Sequence, residues 1–226
     1  MISCEAISKV YPTKSGEVRS LDQFDLSIPK GEFLVVRGGS GSGKTTLLLS
    51  LGGMLRPSSG KVMLHQKDLY AMSNPDRAIV RSRSIGFVFQ MFHLVPYLNT
   101  LENVLLAHSG KVDAATKDRG RQLIADLGIE DRMQHRPAEL SAGERQRAAI
   151  GRAMLNQPEL ILADEPTGNL DPDNADEVFK HLSEFHRGGG TVVVVTHGTA
   201  ADKFADRVIR LDKGRLVETN GGEVNS

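Results

Sequence analysis

The tightest constraint on this chain is ten residues long. Arg37 to Thr46 read RGGSGSGKTT, directly after the apolar run FLVVR and directly before TTLLLSLGGML. Within it Gly38 to Thr45 fit G-x-x-x-x-G-K-[ST] in the strand–loop–helix context that the pattern needs. Glycines let the backbone N–H groups of Gly38, Gly39, Ser40, Gly41, Ser42 and Gly43 turn inward on a phosphate. The helix opened by Thr45 and Thr46 aims about half a positive charge at the same point. Lys44 can reach the outer phosphates as a point charge, and the Thr45 hydroxyl can ligate Mg²⁺. The loop is therefore expected to hold the phosphates of ATP or GTP, the alternative being a merely flexible turn.

A phosphate loop leaves open what surrounds it. The 226 residues, 39% hydrophobic, suffice for one large domain with a proper core. Lys plus Arg and Asp plus Glu both number 28, so no basic footprint points to nucleic acid as a main partner. The single cysteine, Cys4, has no internal disulfide partner, which fits a reducing compartment and a bystander thiol. The N-terminal MISCEAISKVYP lacks the layout of a secretory signal, and no apolar run approaches the roughly 18 residues of a membrane helix. A membrane role is expected to come through a partner.

Four short runs are near-continuously apolar and β-rich: Phe33 to Arg37, Ile85 to Phe89, Leu160 to Ala163 and Thr191 to Thr196. Such runs predict strands buried on both faces of a mainly parallel sheet. Helices are expected over Thr45 to Leu55 and Asp173 to His186, with a short one beginning at Ala201 to Phe204, and this alternation argues α/β. Ile2 to Val10 and Ser20 to Ile28 alternate like antiparallel strands, and VIRLDKGRLVE reads as a hairpin turning at Asp212 to Gly214. Leu101 to Asn156 looks mostly helical, and the tail Asn220 to Ser226 reads as frayed. The expectation is one domain spanning 1–226: a sheet core, an antiparallel β layer, and a helical subdomain inserted at about 91–155.

Candidate chemistry gathers at the ends of the apolar runs. LILADEP places Asp164 and Glu165 where a strand ends, and in open α/β sheets ligands sit outside the carboxyl ends of strands. Beside a phosphate loop, Asp164 is expected to hold Mg²⁺ through its water shell and Glu165 to orient or deprotonate an attacking water. His197 ends TVVVVTH in the same way and is expected to contact the γ-phosphate or that water. Gln90 closes IGFVFQ, and its amide can ligate Mg²⁺ or a water. LSAGERQRAAIGRAML has Ser141 before a helical pattern and Glu144 three residues on, a capping box.

Taken together these segments resemble the nucleotide-binding subunit of ATP-binding cassette (ABC) transporters. GGSGSGKT, Gln90 in FVFQ, LSAGERQR, LILADEP, GNLD and His197 in VVTH stand in that family's order and spacing over nearly the whole chain. The resemblance implies a P-loop NTPase (RecA-like) core and a homodimer of cassettes, head to tail around two MgATP. In it Ser141, Ala142, Gly143 and Glu144 would cap the γ-phosphate on the partner copy's loop, and Gly168 to Asp171 would lie at the subunit interface. Tyr11 matches the position that stacks on adenine. The family further implies ATP hydrolysis at the cytoplasmic face of the inner membrane. There an integral membrane permease would dock a helix near Gln90 and Met91 to Tyr97. ADEPTGNLD with HRPAELSAGERQR looks like the lipoprotein-releasing and macrolide-exporter branch, with cell-division cassettes nearby.

Two positions depart from the family pattern. Ala142 stands where glycine is usual; if that residue needs φ above zero, the methyl costs on the order of 1 kcal/mol and weakens dimer closure. Gly198 replaces the acid that commonly follows the histidine. Three other readings stay open: a regulatory ATPase signalling to envelope enzymes without moving cargo, a soluble repair or translation ATPase, and a small-molecule kinase.

Overall fold

Four apolar runs become the centre of a six-stranded sheet. The computed structural model describes residues 1–14 and 16–220. In chain order they form β1 (Ile2–Thr13), β2 (Gly16–Ile28), β3 (Phe33–Arg37), α1 (Lys44–Leu51), β4 (Ser59–Leu64), β5 (Lys67–Asp68), α2 (Asn74–Ser84) and β6 (Ile85–Phe89). Then follow α3 (Thr100–Leu105), α4 (Ala114–Asp126), α5 (Ala142–Met154), β7 (Leu160–Asp164), α6 (Pro172–Arg187), β8 (Thr191–Thr196), β9 (Arg207–Asp212) and β10 (Arg215–Asn220). The larger sheet has the order β10-β9-β3-β8-β7-β6, and only the β9–β10 pair is antiparallel. A second, antiparallel sheet has the order β2-β1-β4-β5.

Because side chains alternate across a strand, the apolar runs supply two cores at once. Leu34, Val36, Leu162, Val193 and Val195 face α1 and the antiparallel sheet, where Leu47, Leu48, Leu51, Ile7, Leu21 and Val62 are fully buried. Phe33, Val35, Ile161, Val192 and Val194 face the other way, onto Val104, Ile124 and Ile150 of α3, α4 and α5 and Val178 and Phe179 of α6. Cys4 lies in the first core, where burial pushes its thiol up to about 12 and keeps it a protonated bystander at neutral pH.

Several expected boundaries move. α1 stops at Leu51 rather than Leu55, because Gly52 caps it and Gly53 turns to φ 68. α6 begins at Pro172, with Asp171 as its N-cap. The helix expected to begin at Ala201 is only a 3₁₀ turn, Asp202–Phe204. β4, β5 and α2 lie in a stretch for which the sequence offered no element; α2 has no buried residue, so it carries no apolar face to read. The frayed tail expected from Asn220 falls, past that residue, outside the described residues. Among the described residues no helix is long and apolar enough to cross a membrane.

Candidate functional site

Parallel register puts four strand ends at one edge. Arg37 of β3 stands beside Thr196 of β8, Val195 of β8 beside Asp164 of β7, and Asp164 beside Phe89 of β6. The chain leaves these ends as the Gly38 to Thr46 loop, His197, Glu165 and Gln90 respectively. Residues far apart in sequence thus meet along a front of four adjacent strands.

The loop closes on itself before α1 begins. Ser42 donates its N–H to Gly39 O at 3.2 Å, and Gly214 donates to Ser42 O at 2.9 Å, which ties the loop to the β9–β10 turn. Gly43 caps α1 at φ 105, and a Cβ there would lie 2.1 Å from the backbone oxygen of Ser20 in β2. Only glycine meets both demands. Thr46 faces the same strand, its Oγ1 2.8 Å from Ser20 Oγ. Ser40 and Gly41 sit at the exposed crest of the loop. Lys44 is 8% exposed, and its ammonium donates to Gly38 O at 2.7 Å and Gly39 O at 3.0 Å. That ammonium also stands 3.7 Å from Glu165 Oε1.

Glu165 is the hub of the edge. Its N–H continues the ladder to Val195 O at 2.9 Å, and its backbone then turns left-handed at φ 45. Thr196 Oγ1 donates to Glu165 Oε2 at 3.0 Å, and His197 Nδ1 lies 2.9 Å from the same oxygen. One carboxylate is held from one side by a hydroxyl and an imidazole and from the other by Lys44. Next to it Thr45 Oγ1 donates to Asp164 Oδ1 at 3.2 Å. Burial holds the Asp164 carboxyl above its ordinary 3.8, opposed by the Thr45 hydrogen bond. The adjacent Glu165 charge raises it further, and Lys44 lowers it. A hydroxyl and a half-buried carboxylate form a hard oxygen pair, which is the donor chemistry of Mg²⁺. A cation there would also offset the desolvation of Asp164.

The remaining expected positions stand apart from this hub. The Gln90 side chain lies against Gly168, where a Cβ would approach its Nε2 to 2.6 Å, and Asn169 Nδ2 donates to Gln90 O at 3.1 Å. Gln90 is thereby joined to the GNLD segment. Tyr11, 38% exposed, pairs with Val18 on the β1–β2 hairpin, with Lys9 Nζ 5.3 Å above its ring. Ser141 caps α5: its Oγ accepts from Glu144 N at 3.2 Å, and its own N–H donates to Glu144 Oε2 at 2.7 Å. Arg132 Nε donates to Glu144 Oε1 at 2.8 Å, and this ion pair together with the Ser141 N–H holds the Glu144 carboxyl low.

Gly143 lets α5 approach α6, since a Cβ would lie 2.0 Å from Asn174 Oδ1. Asp171 is spent on capping α6, accepting from Asn174 N at 3.0 Å and Asn174 Nδ2 at 2.7 Å. Ala142 corrects one expectation. It is the first right-handed residue of α5 and is not among the residues with positive φ, so its methyl carries no left-handed strain. Gly198 donates its N–H to Thr196 Oγ1 at 3.1 Å.

Sequence reasoning missed Thr196, which aims Glu165, and Gln146, fully buried, whose Nε2 donates to Pro166 O at 2.7 Å and anchors α5 to the turn after Glu165. A hydroxyl closing an apolar strand was the only available signal for the first. The second had none.

The hub combines a phosphate-binding loop, an oxygen pair for a hard cation and an oriented carboxylate that can accept a proton. The sequence model of the ABC transporter family matches residues 21–168. The lipoprotein-releasing system ATP-binding protein LolD of Xanthomonas euvesicatoria is 41% identical over 221 residues, 96% of this chain and 91% of that protein. The macrolide export ATP-binding/permease protein MacB of Chlorobaculum tepidum is 42% identical over 220 residues, 96% of this chain but 34% of MacB. The chain thus spans about a third of that relative's length.

Among solved structures, dimeric MJ0796, a bacterial ABC transporter cassette, superposes with a TM-score of 0.92 at 34% identity over 98% of both chains. A post-hydrolysis dimer of the same cassette bound to ADP and Pi gives 0.91 at 33% identity over the same share of both. The two-core α/β architecture is accordingly that of a P-loop NTPase. Since the matched span holds the phosphate loop, the Ser141 helix and the acid-ended β7 in one piece, the chain belongs to the ABC transporter family, as an ATP-hydrolysing cassette.

Proposed function

We propose that two copies of this chain pair around two MgATP and drive an integral membrane permease, in an export-type system of the lipoprotein-releasing kind. The observation that carries this reading is the convergence of Lys44, Thr45, Asp164, Glu165 and His197 on one sheet edge. The likeness to LolD and MacB supports the export branch, and the dimeric MJ0796 structures support pairing. In this reading the chain sits peripherally on the cytoplasmic face of the inner membrane through its permease.

The chemistry follows from the groups at the edge. Thr45 and Asp164 would hold Mg²⁺, which when bound would neutralise charge on the phosphate chain, and Gln90 would join them by turning its amide away from Gly168. Lys44 and the inward N–H groups of Gly38 to Gly43 bind the phosphate chain. Glu165, oriented by Thr196 and His197, accepts the proton of the attacking water, while His197 meets the γ-phosphate. Tyr11 stacks on the adenine. Ser141, Ala142, Gly143 and Glu144 act on the partner copy's nucleotide from a helix N-terminus, with Asp171 at the interface between copies.

A groove of 470 Å³ lined by Met54, Phe87, Phe89, His93, Leu106 and Arg152 fits the permease helix expected near Met91 to Tyr97. Its apolar walls lie between β6 and the 91–155 segment, which this reading takes as the helical subdomain of a single domain. The test is a tagged Glu165→Gln chain trapped with MgATP in its native membranes, with co-purifying proteins identified by mass spectrometry. A permease with few spans and a large extracytoplasmic domain, alongside lipoproteins, is the expected result. Recovery of cell-division proteins would move the reading to the regulatory class, and recovery of no membrane protein would overturn it.

A further inference from the structure

The loop after β8 carries His197, whose N–H donates to Glu165 Oε2 at 3.3 Å, and ends at Ala201, fully buried in the second core. Gly198 donates to Thr196 Oγ1, Asp202 donates its N–H to Thr199 O at 3.1 Å, and the 3₁₀ turn Asp202–Phe204 follows at once. That turn is pinned on two sides. Toward α6, Lys203 Nζ donates to Asp176 Oδ2 at 2.8 Å, and Phe204 packs on Phe179 at 5.8 Å between ring centres. Toward the site, Arg37 Nε donates to Asp202 Oδ1 at 2.9 Å, and Arg37 Nη2 meets Asp202 Oδ2, a fork closed on both carboxylate oxygens.

Arg37 is the last residue of β3 and leads directly into Gly38. It also shares a cleft of 310 Å³ with Gly38, Gly39 and His197. A two-pronged guanidinium–carboxylate pair fixes geometry in a way that a lone ammonium contact does not. The other anchor, Lys203–Asp176, is more exposed, its one ammonium nitrogen shared between both Asp176 oxygens at 2.9 and 2.8 Å.

We propose that Arg37 and Asp202 are positioning residues for the reaction: their ion pair holds the turn behind His197 against the strand that feeds the phosphate loop, and so keeps the imidazole at Glu165. The proposal rests on the reading of His197 given above. Its signature is a loss of turnover without a loss of nucleotide binding, because neither side chain belongs to the loop that binds phosphate. Both residues are about 30% exposed, so the fold has little to lose when they are changed.

The experiment is steady-state ATP hydrolysis by the full chain and its variants, with thermal melting of each and hydrogen exchange over residues 197–201. Asp202→Asn and Arg37→Gln are each expected to lower kcat about ten-fold with KM for ATP within about two-fold, the scale of a small misplacement of a catalytic group. Exchange at 197–201 should rise in both. The double variant should be no worse than either single one, since both remove the same contact. Lys203→Met, which cuts only the anchor to α6, should keep wild-type kcat. Wild-type kcat in Asp202→Asn beside an inactive His197→Ala would overturn the proposal. So would equal losses in Asp202→Asn and Lys203→Met, which would mean mere loosening of the turn. Normal turnover in His197→Ala would instead remove the reading of His197 on which the proposal stands.

Discussion

Replacing Gly43 with alanine tests whether the phosphate loop is held by backbone crowding. Gly43 sits at φ 105, where an L side chain costs roughly 1–2 kcal/mol. Its new methyl would also lie 2.1 Å from Ser20 O, inside the 3.0 Å that real Cβ atoms keep from other heavy atoms. Either the loop or β2 must give by about 1 Å, which adds roughly 1–3 kcal/mol of overpacking. The sum of about 2–5 kcal/mol translates into a fall in Tm of roughly 5–15 °C for a chain of this size. A loop displaced by about 1 Å carries Lys44 and Thr45 with it, and activity should fall about 100-fold. Melting curves and titration with a fluorescent ATP analogue read the two effects separately. Gly39→Ala is the control: nothing lies within 4 Å of its Cβ and its φ is not positive, so its melt should stay within about 0.5 kcal/mol of wild type. A Gly43→Ala protein with wild-type melting and nucleotide binding would refute the crowding argument.

Three further outcomes follow from the same geometry. Lys44→Ala should lose nucleotide affinity by at least about ten-fold in the same titration, as expected for a charge-assisted contact. Asp164 has a raised folded pKa, so its ionisation opposes folding once pH rises above the ordinary 3.8. Asp164→Asn should therefore melt higher than wild type at pH 7 without ligand, the gap closing below about pH 4 in paired melting curves. Glu144 has a lowered pKa, so its stabilisation is present above the ordinary 4.5 and lost as pH falls through the folded value. Glu144→Gln should cost up to about 1 kcal/mol at pH 7 from the weakened capping box, and urea titrations should show that cost shrinking as pH falls below the ordinary 4.5.

The centre of the fold was legible because it obeys local rules. β3, β6 and β8 occupy the residues their apolar runs mark, and β7 extends one residue further to Asp164, since strands buried on both faces leave an unbroken signature. The α1 start was legible for the same reason that its end was not. The loop motif marks a start at Thr45, one residue after the observed Lys44, whereas Leu55 continues the apolar pattern past the Gly52–Gly53 break. α2 escaped because all of its residues stay at least partly exposed.

Within the candidate site, strand ends could be placed but partners could not. Nothing local announces that Glu165 turns left-handed, that Thr196 aims it, or that Arg37 pairs with Asp202 across 165 residues. Those contacts come from parallel register between distant strands, which no short window of sequence contains. The Ala142 strain was a conditional inference from a family pattern, and an ordinary helical first turn dissolved it.

The central claim is that Glu165 performs the proton chemistry while the loop around Lys44 performs the binding. It is tested most directly by measuring MgATP affinity and ATP turnover together in Glu165→Gln, which keeps the size and one oxygen of the side chain. The account predicts ATP binding within about three-fold of wild type and a turnover lower by at least about 100-fold, the scale of a lost general base. Wild-type turnover would contradict it, and would remove Glu165 from the reaction.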